Sequence, residues 1–180
     1  LKNEHLSKRS RTVERSVPMT DRETETTVDP ASVVADADVL AADLLVGDAA
    51  RDALDYVRSH SWVELLASDP LVEDAAALIE RFASEELARD WRDRIERERV
   101  PVEHPTGDHP ALASAYRGQA AHVLSFDEQL GSVQTGASLQ GHVSMSVRHP
   151  KAFAAVFDPE SLYGALHEGE YPGPDSDPRA

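Results

Sequence analysis

Four aspartates follow or open elements that a chain of alternating strands and helices would bring to one edge. Asp36 follows the apolar run Val33-Val34-Ala35, and Asp127 follows Val123-Leu124-Ser125-Phe126. Asp74 falls early in a helix opened by Ser68-Asp69-Pro70, and Asp108 stands just ahead of Pro110. In open parallel sheets ligands gather beyond the carboxyl ends of the strands, where acids leaving strands meet acids opening helices. Carboxylates gathered there without an intervening Lys repel one another, and no Lys occurs between Lys8 and Lys151. A hard divalent cation relieves that repulsion, and an oxygen-only ligand set suits Mg²⁺ or Mn²⁺. Asp38, Glu73 and Ser125 are accessory candidates at the same places.

Each of these residues has a plainer role to weigh. Asp108 is a natural helix N-cap, worth about 1 kcal/mol. Glu73 adjoins Asp74, and spacing favours Asp74 as the inward acid. Asp38 shares a face with Asp36 if the strand runs on into Val39-Leu40, because side chains alternate along a strand. His104, His109 and His122 match no zinc spacing and read as exposed loop or helix-start histidines. The arginines of residues 89–99 either grip phosphates or pair with the Glu residues of their own helix, and the second is the commoner pattern.

The elements needed to position these groups can be read from periodicity. Val33–Ala35 reads as a buried strand, and residues 40–60 have helical spacing with a break at Gly47-Asp48. Residues 62–67 look like a strand, followed by helices over 71–82 and 84–98. A helix runs from Pro110 through Tyr116 and ends at Gly118. Strands over 123–126 and 143–147 and a helix over 151–157 complete the series. This alternation predicts a three-layer α/β/α fold with a mostly parallel central sheet.

Residues 1–30 lack apolar periodicity and read as a disordered leader, of which 1–18 precede Met19 and need not be native coding sequence. Residues 167–180, rich in Pro, Gly and acids, read as a disordered acidic tail, leaving one domain over 31–166. The 180 residues carry 18 basic and 33 acidic groups, a net charge of −15. Residues 1–18 hold five of the basic groups and two of the acids, so the rest sets 13 against 31. With Ala abundant and only three Lys, this profile resembles proteins of salt-accumulating archaea. At about 1 M salt the Debye length is about 3 Å, so an acidic surface does not bar a nucleic-acid substrate. Cysteine is absent, which excludes disulfides, thiolate metal sites and thiol nucleophiles. No run approaches the roughly 18 apolar residues of a membrane span, and a cytoplasmic protein is the expectation.

Four stretches, in order, resemble the PIN domain family of metal-dependent ribonucleases, which includes the VapC-type toxins. Val33 to Leu40 looks like its opening strand with a following acid, and Ser68 to Asp74 like its strand-exit serine with an acid six residues on. Asp108 to Ala115 and Gly118 to Asp127 resemble its paired late acids. Residues 143–147 with His149-Pro150-Lys151-Ala152-Phe153 look like its closing strand and helix. The resemblance implies Asp36, Asp74, Asp108 and Asp127 as catalytic, metal-binding acids. It implies hydrolysis of RNA phosphodiesters by metal-activated water, a homodimer, and the toxin role with an antitoxin partner. The sequence departs from the pattern at Asp38 for Asn, Ser125-Phe126 for Thr-Gly, and His122 for Asp.

Other readings fare worse. Asp36-Ala37-Asp38 also looks like the Asp-x-Asp motif of haloacid-dehalogenase phosphatases, which need a downstream Lys that the chain lacks before Lys151. A receiver domain needs Lys-Pro where this chain has Pro150-Lys151. The rival of a different class is a catalytically inactive PIN-like module that binds RNA or protein.

Overall fold

The structure, a computed structural model, describes residues 27–104, 108–131 and 145–180. The expected leader therefore lies almost wholly outside the described residues. Strand β1 (Asp29–Ala35) leads to helices α1 (Ala37–Leu45) and α2 (Asp48–Arg58), then β2 (Glu64–Ala67). Helices α3 (Asp69–Phe82) and α4 (Glu85–Glu98) precede the short edge strand β3 (Arg99–Pro101). Helix α5 (Pro110–Gly118) feeds β4 (Ala120–Leu124), and residues 128–131 are helical. Strand β5 (Ser146–Arg148), α6 (Pro150–Val156) and α7 (Pro159–Leu166) follow.

The five strands are all parallel, in the order β3-β2-β1-β4-β5. Val33 lies opposite Leu65 on one side and His122 on the other. Val33, Val34, Ala35, Val123 and Leu124 are fully buried, as a sheet covered on both faces requires. Leu40, Leu54, Leu71, Ile79, Ile95 and Phe153 supply the helical side of the core. The expected α/β/α layering is the observed one. The chain winds outward from β1 through β2 to β3, then crosses back to build β4 and β5 beyond β1. The direction reverses between β1 and β4, and in open α/β sheets the strand carboxyl ends at such a reversal are where ligands bind.

The edge strand β3 and the last helix α7 were not expected from the sequence, and three local details differ as well. The first strand stops at Ala35 rather than continuing through Asp38. Asp36 takes an extended conformation and caps α1, its Oδ1 accepting the Ala37 amide at 2.8 Å. An aspartate cap satisfies an orphan amide at a helix start, so Asp38 sits in the first helical turn, on no strand face. At α5 the N-cap is His109, whose side chain makes no capping bond, and Asp108 lies one residue outside. Helix α5 ends with Gln119 in the left-handed region at φ 58°. Gly118 serves close packing instead, since a Cβ there would meet Leu66 Cδ1 at 2.3 Å. The break between α1 and α2 does need glycine conformation, at Gly47 with φ 83°.

Residues 167–180 contain no helix or strand, yet they are docked rather than loose. Asp175 accepts from Ser61 N at 2.8 Å and Ser61 Oγ at 2.6 Å, and its amide donates to Ser59 O at 2.9 Å. Tyr171 OH meets Nε2 of the buried His60 at 2.6 Å, and Arg179 pairs with Asp55 at 2.8 Å. These contacts lie before β2, at the amino end of the sheet.

Candidate functional site

The exits of β1 and β4 are joined directly, the Asp36 amide donating to Leu124 O at 2.8 Å. Asp36 is buried, 8% exposed, and both its oxygens are engaged. Oδ1 takes the Ala37 amide, and Oδ2 accepts Ser125 Oγ–H at 2.9 Å. The same Ser125 oxygen accepts the Asp127 amide at 3.0 Å, so one buried hydroxyl ties the two strand-exit acids together. Asp127 itself is exposed, and its Oδ1 accepts the Gln129 amide at 2.8 Å.

Asp38 completes the group. The backbone N–H dipoles of Val39 and Phe126 favour its charged form, while its Oδ1 is buried without a hydrogen-bond partner. Burial, first, and the charges of Asp36 and Asp127 raise the Asp38 carboxyl above the ordinary carboxylate range, against the pull of those two backbone dipoles. Asp36, Asp38 and Asp127 thus share one electrostatic environment around Ser125, at the strand ends where the winding reverses.

The other expected acids stand apart from this group. Asp74 is exposed on the second turn of α3, and Asp108 is exposed ahead of α5. Neither is among the largest influences on Asp38. Both stand towards the carboxyl edge of the sheet, because α3 leaves β2 there and α5 begins there. That placement is fixed by a buried serine pair: the Ser68 and Ser114 hydroxyls lie 2.9 Å apart, and Ser114 Oγ accepts the Ser68 amide at 3.1 Å. Glu73 is held by Arg92 of α4 on the surface. Among the described residues, no three His, Asp or Glu side chains are already placed to hold a metal ion together.

A family model described as a family of unknown function, DUF7384, matches residues 27–179. The chain belongs to DUF7384. No curated protein and no solved structure matches it. The DUF7384 span starts just before β1 and ends at Arg179, so the docked tail lies inside the family unit.

Sequence reasoning missed two residues in this DUF7384 chain. Ser114 sits in a run of small residues, Ala111-Leu112-Ala113-Ser114-Ala115, that reads as plain core. Its one signal is a hydroxyl on an otherwise apolar face. His122 lies on β4 rather than in a loop, half-buried, with Nδ1 3.1 Å from Ser146 Oγ and its ring against Phe153. Burial and the nearby Arg148 charge lower its pKa. Three of the four arginines of α4 are taken up by ion pairs, Arg89 with Glu85, Arg92 with Glu73 and Arg94 with Glu98, while Arg97 donates to Asp93 O at 2.7 Å.

Proposed function

We propose that this DUF7384 protein is a PIN-like, divalent-metal-dependent ribonuclease that hydrolyses RNA phosphodiester bonds at the carboxyl ends of β1 and β4. The observation that carries the reading is the gathering of Asp36, Asp38 and Asp127 around Ser125 at the reversal of sheet winding. The donor set fits a hard cation in kind: every donor is oxygen, the local charge is negative, and Asp38 Oδ1 is buried with no partner. Bound there, Mg²⁺ or Mn²⁺ would activate water and stabilise developing charge on the phosphate. Ser125 sets the spacing of Asp36 and Asp127. Asp74 and Asp108 are the reserve ligands at the same edge. The toxin role, with its antitoxin and homodimer, belongs to the same proposal through the family resemblance.

One observation favours the second reading, an inactive PIN-like module binding RNA or protein: the described acids do not form a ready-made ligand set. Cleavage separates the two. Wild-type protein in molar KCl should cut RNA with Mn²⁺ or Mg²⁺ and not with EDTA. Asp36→Asn and Asp127→Asn should each lower the rate by about 100-fold or more. Equal activity in all three proteins, or none in wild type, defeats the ribonuclease and leaves the module.

A further inference from the structure

The ring of Phe126 stands 37% exposed at the lip of the acid cluster. Its backbone is fixed by the residue that follows, the Asp127 amide donating to Ser125 Oγ at 3.0 Å. Beside it lies His149, also exposed, with ring centroids 5.1 Å apart and planes at 71°. His149 is fixed in turn, because its Nδ1 accepts the Lys151 amide at 3.1 Å and caps α6. That bond places the ring hydrogen of a neutral imidazole on Nε2. The exit of β5 is tied to that of β4 through Ser125 N and Arg148 O at 3.0 Å. Two exposed rings are therefore held in register beside the carboxylates, before any ligand arrives.

Among the described residues, the other exposed rings of Phe and Tyr, at Tyr56, Phe82 and Tyr116, lie in the second halves of α2, α3 and α5, away from the acids. Phe82 is capped by the Arg81 guanidinium, 5.4 Å from the ring centroid. Trp62, Tyr163, His167 and Tyr171 pack on one another at the amino end of the sheet. Lys151, exposed in the first turn of α6, makes no ion pair among the described residues, while most described arginines are held by carboxylates. An exposed ring stacks on any base, since every base has a π face, but only an unpaired base offers that face.

We propose that Phe126, braced by His149, is a stacking platform for one unpaired nucleobase, seating single-stranded RNA beside the acids with Lys151 on a neighbouring phosphate. The choice of RNA rests on the ribonuclease reading of the same site. Stacking also answers how a chain of net charge −15 holds a polyanion. Salt that screens a lysine–phosphate contact to a Debye length of about 3 Å leaves stacking in force.

Anisotropy of a labelled single-stranded RNA of about ten nucleotides, in EDTA, reads binding without cleavage. Phe126→Ala should weaken binding about tenfold or more, and Phe126→Trp should recover it. Phe82→Ala, an exposed ring elsewhere, should change nothing. In molar KCl the Phe126→Ala loss persists, whereas the Lys151→Ala loss fades. An abasic spacer at one position should reproduce the loss in wild type and add nothing to Phe126→Ala. Equal binding by wild type and Phe126→Ala, or tighter binding of a fully paired duplex, overturns the platform whatever the cleavage assay gives. Phe126-dependent binding without metal-dependent cleavage keeps the platform and removes the ribonuclease.

Discussion

Ser125 shows how little separates two carboxylates from a site. Its one hydroxyl holds Asp36 Oδ2 and the Asp127 amide, so the strand-exit acids keep a fixed relation without touching. His122, on the same strand, carries a pH dependence of its own. Its folded pKa is lowered, so the unfolded chain binds the proton more readily. Stability should therefore fall as pH drops below about 6.5, through the window down to the lowered value, and level off beneath it. Melting temperatures taken across that window should show the fall in wild type and a flatter profile in His122→Gln. A profile of equal slope in the variant assigns the pH dependence elsewhere. Asp36 and Asp127 were legible in the sequence because each follows an apolar run, whereas Ser125 was read inside a strand that in fact ends at Leu124. Asp38 was legible as an acid but not as a helical one, because a strand exit and a helix cap look alike when both are Asp.

Among the elements, the alternation of strands and helices was readable except at the edge strand β3 and the last helix α7, and the missed boundaries are set by tertiary contact. Gly118 illustrates this. As the last small residue of a helical run it reads as a cap, but the left-handed residue is Gln119, and Gly118 lets α5 approach Leu66 and Val102. A methyl group there has nowhere to go without moving the buried Leu66. Gly118→Ala should cost about 1–3 kcal/mol in denaturant unfolding, and a Leu66→Ala background should absorb part of that cost. Full additivity of the two changes would argue against the close approach. The same helix carries Ser114, so a shift of α5 would also loosen the serine pair that sets the starts of α3 and α5.

At the scale of the whole molecule, composition describes the tail correctly as lacking helix and strand, and misses its docking. Composition reports the propensity of a segment, whereas Tyr171, Asp175 and Arg179 act through partners more than a hundred residues away. Deleting residues 171–180 strips His60 of its Tyr171 partner and should destabilise the fold by at least about 1–3 kcal/mol. Tyr171→Phe, which keeps the ring and removes only the hydroxyl, should account for part of that loss. Unchanged melting of the truncated chain would mean the docked tail adds no stability.

The docked tail and the start of β1 leave the sheet at the same end, opposite the acids. Asp29 enters beside Gln119, and Asp175 settles on Ser59. Both points of attachment, the start of β1 and the docked tail, lie at the opposite end of the sheet from Asp36, Asp38 and Asp127. Any sequence joined before β1 or after the tail is therefore attached away from those acids.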